Sequence, residues 1–268
     1  MIEAVLNYQF MQNALMSAVM ASIVCGLIGT IIVEKKLVML SGGIAHTSFG
    51  GIGLGYLLGI EPIYGAFGFA VGASLSIAAI KRKIGTGADT LIGMFWSLGM
   101  ALGVLFIGLT PGYPPDISSY LFGDILTVRS MDVVLMGLLT VFMLLAVISL
   151  FNYWKAYLFD EEFLSVLGVN AEFLDYFLFI LIGLAIVILI RVVGIILVIA
   201  LLTAPPAAAR LYTDDLKKIM SLAVLFGLIF SLSGLGISYH YDLPSGAVII
   251  FAAAIFYFIS VVIKGKKE

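Results

Sequence analysis

The chain has 268 residues, a formal net charge of −2, 62% hydrophobic residues and 11% charged residues. Soluble domains carry about 25% charged residues, so this composition excludes a soluble globular protein and predicts one embedded in a lipid bilayer. The near-neutral charge and the lack of a basic tract exclude nucleic acid as a partner. The single cysteine, Cys25, excludes a disulfide framework and a thiolate metal cluster.

Apolar runs of membrane-spanning length follow one another along the chain. A helix needs about 20 apolar residues to cross a bilayer. The stretch Phe173–Arg210 is nearly twice that long and is interrupted at Arg191 and Gly194, so it forms either one broken helix or two crossings. The sequence predicts an all-α, polytopic bundle of about eight or nine crossings in a single transmembrane domain, residues 1–268. The other predicted spans are Phe10–Val33, Leu37–Gly59, Ile63–Ile80, Leu91–Leu109, Met131–Tyr153, Ile219–Tyr239 and Ser245–Ile263.

Basic residues predict the orientation, because cytoplasmic loops are enriched in Lys and Arg. With the N-terminus outside, Lys35–Lys36 and Lys81–Lys83 fall inside. If Phe173–Arg210 crosses twice, Arg210 and the basic C-terminus also fall inside. A single crossing would place both of them outside. We therefore expect two crossings and an inside C-terminus. A sharply broken or re-entrant helix near Arg191 satisfies the same topology.

His46 lies within the glycine-rich run Leu37–Gly59, which carries no charged residue. An imidazole at membrane depth is costly, so by default it marks a pathway or a site. Neutral imidazole suits zinc, iron and manganese to differing degrees. The alternative is a neutral histidine hydrogen-bonded across helices. One imidazole does not hold such an ion, but a symmetric dimer would supply two.

Thr110–Ser130 is predicted to lie outside and not to span. Its three prolines forbid a continuous helix, while Ile117–Val128 is expected to form a short helix along the membrane surface. At the outer mouth between the last two spans, Ser238–Ala247 contains His240 and Asp242. His240 and Asp242 are possible ligands for an entering metal ion. The residues Ser238–Ala247 fit an interfacial loop better.

The inner segment Phe159–Asn170 is predicted to contain a short helix over about residues 159–168. Its alternatives are an interfacial helix resting on lipid and a docking element for a cytosolic partner. The residues that carry the prediction are Asp160 as N-cap, Glu161 at the helix N-terminus, Phe163, Val166 and Leu167 as an apolar face, and Gly168 as terminator.

Motifs for enzymatic chemistry are lacking in this sequence. It has no Gly-rich phosphate-binding loop ending in Gly-Lys-Ser/Thr, no HExxH and no GxSxG. The chain is therefore predicted not to be an enzyme, and any ATP hydrolysis is expected in a partner.

Five stretches, in order, resemble the integral membrane permease of ABC importers for zinc, manganese and iron. They extend from Lys35 to Ala247 and cover nearly the whole chain. They are KKLVMLSGGIAHTSFGGIGLGYLLG, GADTLIGMFWSLGMALGV, DISSYLFGDIL, LIRVVGIILVIALLTAPPAAARL and YDLPSGA.

The resemblance implies a multi-pass permease that moves a divalent metal ion (zinc, manganese or iron) across the plasma membrane of a prokaryote into the cytoplasm. It implies a homodimer with cytosolic ABC ATPase subunits and an extracytoplasmic metal-binding protein. The metal is then the transported substrate, and no cofactor is bound permanently. The inner helix over residues 159–168 would be the coupling helix, and His46 would line the pore.

One position departs from the family pattern. The family usually has Asp-x-x-x-His at the deep histidine, but Gly42 occupies the aspartate position here. The alternatives are a permease for a metal chelate such as a siderophore or cobalamin, which needs a wider pore and no deep ligand, and a membrane protein outside transport, either an intramembrane enzyme or a structural scaffold.

Overall fold

The computed structural model describes residues 6–84, 88–112, 123, 125–159, 164 and 168–264. These residues are almost entirely helical and include no β-strand. The helices with described bounds are α1 Gln9–Glu34, α2 Val38–Leu58, α3 Pro62–Ile84, α4 Ala88–Leu109, α5 Ser130–Ser149, α6 Phe151–Phe159, α7 Ala171–Val193, α8 Ile195–Arg210, α9 Leu216–Tyr241 and α10 Ser245–Lys264, with a 3₁₀ turn at Ile125–Thr127.

Seven helices in the described part of the chain are long and apolar enough to cross a membrane, namely α1, α3, α4, α5, α7, α9 and α10. Helix α8 is apolar but shorter. Helix α2 has 21 residues, is rich in glycine and is not among the seven. The predicted all-α, polytopic architecture is confirmed.

The chain divides into two compact units, so the single domain remains a prediction. The first unit comprises Met1–Lys35, Ser118–Lys155 and Ile188–Glu268, and the second comprises Lys36–Ile117 and Ala156–Val187. Helix α7 begins in the second unit and ends in the first.

In the first unit, polar contacts show that α8 runs in the same direction as α1. Near the start of α1, the Asn13 amide lies 3.1 Å from a backbone carbonyl just before α5. Arg191 Nε contacts Asp132 Oδ1, on the first turn of α5, at 2.5 Å. At the other end of α1, Glu34 pairs with Arg210, the last residue of α8. Arg210 thus lies at the end of α1 that the two-crossing prediction requires.

The interruption predicted in Phe173–Arg210 is a break at Gly194. This residue has φ 80° and ψ 162°, which L side chains rarely adopt. Gly123, also at positive φ, lies against Val193 and Gly194 so closely that a Cβ there would overlap their backbone. Two glycines therefore let the chain bend and let the loop before α5 pack on the bend.

The predicted span Met131–Tyr153 is confirmed over Met131–Ser149, but its last four residues lie beyond α5. Helix α5 ends at Ser149, Leu150 leaves helical geometry, and α6 begins at Phe151. Carbonyls in the last turn of a helix lack internal partners. The Trp154 indole donates to one of them, the carbonyl of Ala146, at 3.1 Å, and thereby stabilises the break.

Of the predicted outer segment Thr110–Ser130, the described part includes the 3₁₀ turn Ile125–Thr127. Most of the surface helix predicted at Ile117–Val128 falls outside the described residues. Helix α4 ends at Leu109, as the prolines that follow require.

In the second unit, α2 packs closely against α3 and α4 through glycines. Cβ atoms at Gly51 and Gly65 would each overlap the other's backbone, and one at Gly99 would overlap that of Thr47. Small residues let helix backbones approach within a membrane, where the hydrophobic effect adds little between helices. Gly68 and Gly72 are also four residues apart, but a Cβ at either would meet no atom within 4 Å.

Candidate metal pathway and coupling segment

The hydroxyls next to His46 on α2 donate to backbone carbonyls of α2 and α4. The Thr47 hydroxyl donates to the carbonyls of Gly43 at 2.7 Å and Phe95 at 2.9 Å. The Ser48 hydroxyl donates to the carbonyl of Ala45 at 2.6 Å. These hydroxyls complete helix packing, as Ser and Thr side chains within membrane helices often do.

The His46 imidazole, by contrast, is half-buried and faces two side chains of α4. It stacks on the Trp96 ring, with centroids 4.0 Å apart and an interplanar angle of 12°. Its Nδ1 lies 3.3 Å from Met100 Sδ. Trp96 and Met100 are four residues apart and therefore share one face of α4. The ring is held between an aromatic face and a thioether.

The predicted site has few ligands within one copy of the chain. Among the described residues, no group of three or more His, Cys, Asp or Glu side chains could hold a metal ion. Gly42, at the usual aspartate position, is buried and supplies no carboxylate. A single copy therefore offers His46 and Met100 as side-chain donors in direct contact.

His240 and Asp242 both lie exposed at the end of α9, where Asp242 is the C-cap residue. Asp242 adopts a left-handed conformation, φ 55° and ψ 43°, and caps the helix. The Leu243 amide donates to the Ser238 carbonyl at 3.2 Å, and the Ser238 hydroxyl donates to the Leu243 carbonyl at 2.6 Å. The sequence Tyr-Asp-Leu-Pro-Ser thus closes one helix and leads into the next.

The predicted coupling helix falls mostly outside the described residues. Asp160, Glu161, Phe163, Val166 and Leu167 are all in that part, so their predicted roles have no structural account. Gly168 is described, with φ 70°, and the Val169 amide donates to the carbonyl of helical, buried Leu164 at 3.1 Å. This is the hydrogen-bond pattern of a helix that ends at a glycine.

A buried polar cluster flanks the coupling segment in the second unit. Tyr157, seven residues before Leu164, donates its hydroxyl to Asp175 Oδ1 at 2.5 Å, and both residues are buried. Arg82, near the end of α3, lies 3.7 Å from the other Asp175 oxygen and 3.7 Å from Glu172. The chain before the predicted coupling helix is therefore bonded to the chain after it, and Arg82 ties the latter to α3. Sequence reasoning missed this cluster, although a carboxylate within an apolar run needs a partner.

Sequence reasoning also missed Asp132, which pairs with Arg129 and with Arg191, the arginine inside the apolar stretch Phe173–Arg210. Its carboxylate contacts Arg191 at 2.5 Å and Arg129 at 3.4 Å. One indication of Asp132 was present in the sequence. Arg191 lies within an apolar stretch, and an arginine within a membrane requires an acidic or carbonyl partner.

Comparisons with known proteins cover almost the whole chain. The model of the ABC 3 transport family matches residues 7–264. The manganese transport system membrane protein MntC of Listeria monocytogenes is 34% identical over 269 residues, covering 99% of this chain and 95% of MntC. The manganese import system permease protein ScaB of Streptococcus parasanguinis is 33% identical over 267 residues, covering 100% and 95%. A solved chain of PsaBC from Streptococcus pneumoniae, in complex with Fab, aligns with a TM-score of 0.87 at 32% identity, covering 97% of this chain and 94% of that one.

Proposed function

Because the chain belongs to the ABC 3 transport family, we propose that it is the membrane permease of an importer that moves a divalent metal ion (zinc, manganese or iron) into the cytoplasm. The observation that carries this proposal is the match, over nearly the full length of both chains, to permeases named for manganese import. The chain is a multi-pass protein of the plasma membrane, as its apolar helices and bacterial relatives indicate.

The proposed pathway passes His46. Support comes from the half-buried position of the His46 imidazole, which leaves part of it accessible. Glycine packing also places this side chain on the surface where α2 meets α4. A homodimer would bring two such histidines to one axis, where a pair can hold an ion briefly and still release it. His240 and Asp242 remain proposed outer-mouth ligands, and their exposure is compatible with that role.

The proposed partners are cytosolic ABC ATPase subunits, which supply the hydrolysis, and an extracytoplasmic metal-binding protein. The proposed docking element is the helix over residues 159–168, with Phe163 and Leu167 as its apolar contacts. The Tyr157–Asp175–Arg82 cluster supports this proposal, since it bonds the chain before that helix to the chain after it and ties the latter to α3 through Arg82.

The test reconstitutes the chain with its ATPase and binding protein in proteoliposomes and measures ATP-dependent uptake of radiolabelled zinc, manganese and iron. We expect saturable uptake of at least one ion, and none in liposomes that lack the ATPase. Uptake that is inhibited by a metal chelate and not by free ion would replace the proposal with a chelate permease. Absence of any stimulated ATP hydrolysis would favour a scaffold.

Replacing Phe163 or Leu167 with Asp tests the docking element. A charge on the apolar face should abolish copurification of the ATPase, because an unpaired carboxylate is costly to bury in an interface. The control is Leu109→Asp, which changes an exposed residue at the end of α4, on the predicted outer side. Survival of the complex in both docking variants would exclude this helix as the contact.

A further inference from the structure

We propose that Met100 is a second metal ligand beside His46, and that this nitrogen–sulfur pair makes the pathway selective for zinc over manganese. The inference rests on the proposed function in one respect, that a divalent metal ion passes His46. It adds a ligand that lies 54 positions further along the chain and a preference among the transported ions.

The distance between the two donor atoms is that of a chelating pair. His46 Nδ1 and Met100 Sδ are 3.3 Å apart. Zinc–nitrogen bonds of about 2.0–2.1 Å and zinc–thiolate bonds of about 2.3 Å, meeting at about 90–109°, place their donor atoms roughly 3.1–3.6 Å apart, and the longer bond to a thioether increases this separation slightly. One ion can therefore contact both atoms with little movement of either side chain.

The spacing is fixed by the backbones that carry the two residues. Gly99 precedes Met100 and lies against Thr47, the residue after His46, so closely that a Cβ at position 99 would overlap the Thr47 backbone. The Thr47 hydroxyl also bonds the Phe95 carbonyl on α4 at 2.9 Å. Trp96 stacks on the imidazole and restrains its rotation. The pair is thus preorganised before an ion arrives.

The donor set explains the proposed selectivity. Imidazole and thioether suit zinc, whereas carboxylates, carbonyls and water suit manganese. Gly42 supplies no carboxylate. The nearby hydroxyls of Thr47 and Ser48 donate to backbone carbonyls. Two copies related by a dimer axis would offer two nitrogens and two sulfurs, a four-ligand set that matches tetrahedral zinc.

Met100→Leu tests the proposal, because it keeps the volume and removes the sulfur. Met94→Leu is the matched control, since Met94 lies on the same helix with its side chain 65% exposed. The experiment measures uptake of radiolabelled zinc and manganese by the complete complex in proteoliposomes, with assembly checked by copurification of the ATPase.

We expect Met100→Leu to lower the ratio of zinc to manganese uptake by about 10- to 100-fold, the range found when the environment of a metal site is disturbed. Met94→Leu should leave the ratio unchanged. Gly42→Asp should shift the ratio toward manganese, because it adds an oxygen donor one helical turn from His46.

An unchanged ratio in assembled Met100→Leu would overturn the ligand assignment, since it would show that the His46–Met100 contact is only packing. Wild-type complex that prefers manganese to zinc would overturn the selectivity. Failure of the proposed function itself gives a different result, because the wild-type complex would then transport neither ion.

Discussion

Two regions of the second unit position their polar groups by different means. Around His46, glycines bring α2 against α3 and α4, and the imidazole contacts a ring and a thioether. Around Asp175, the carboxylate is held by a tyrosine hydroxyl and an arginine. The first region is positioned by close backbone contact, and the second by charge-assisted hydrogen bonding.

The difference matches the role proposed for each region. A transported ion must bind and leave, so a pathway gains from a rigid frame that carries few strong ligands. A segment that transmits force to the membrane helices gains from strong, directional bonds, which are about twice as strong when one partner is charged. The two regions should therefore respond oppositely to steric and to polar substitutions.

The largest effect is expected where backbone contact is closest. Gly51→Ala places a methyl group against the Gly65 backbone, which cannot move aside as a flexible side chain does. Overpacking of this kind costs about 3 kcal/mol, so we expect a lower midpoint of thermal unfolding and less folded protein in detergent. Gly68→Ala, where nothing lies within 4 Å, is the control. If the two variants unfolded at the same temperature, close backbone contact at Gly51 would not be what positions α2.

A smaller effect is expected in the charged region. Tyr157→Phe leaves the shape intact but removes the hydroxyl that donates to Asp175. Loss of a buried hydrogen bond to a charged group costs about 2 kcal/mol, measured as a fall in thermal unfolding temperature.

The matched change at the rim of this cluster is Glu172→Gln, where the side chain is 51% exposed and the ion pair is long. Exposed ion pairs contribute roughly 0–1 kcal/mol, so this variant should resemble the wild type. If Tyr157→Phe were as mild as Glu172→Gln, the buried cluster would not hold the segment.

The smallest effect on stability is expected at Asp215, an exposed carboxylate that lies outside both regions. Asp215 caps α9 by accepting a hydrogen bond from the Lys218 amide at 3.0 Å. That bond holds the pKa of Asp215 below its usual range. Because the folded pKa is lowered, the stabilisation is present above the unfolded pKa of about 3.9 and is lost as the pH falls through the folded value.

Asp215→Asn separates the charge from the cap, since asparagine caps helices as well but does not titrate. The difference in unfolding temperature between this variant and the wild type should shrink as the medium is acidified. A difference that is constant with pH would contradict the assignment.

The sequence allowed the helices to be located better than the site. The apolar run Leu37–Gly59 predicted α2 to within a residue at each end, because an uninterrupted apolar run of about 20 residues satisfies its backbone in a bilayer as a helix. The break at Gly194 was also predictable, since an arginine and, three residues later, a glycine interrupt an otherwise apolar stretch.

The partners of the polar residues were not predictable in the same way. Many half-buried side chains on any neighbouring helix could have faced His46, and helical periodicity does not say which helices are adjacent. Met100 and Asp175 acquire their contacts from tertiary packing. Gly68 and Gly72 show the converse, because their spacing is that of a packing motif although their surface is open in this chain.

The central claim, that a metal ion passes His46, is tested most directly by His46→Ala in the complete complex, with Ser97→Ala as the control. The Ser97 hydroxyl is exposed and bonds only within α4. We predict that His46→Ala assembles with its ATPase but takes up radiolabelled metal at least about tenfold more slowly than the wild type, while Ser97→Ala does not differ from it. Undiminished uptake by a fully assembled His46→Ala complex would contradict the account.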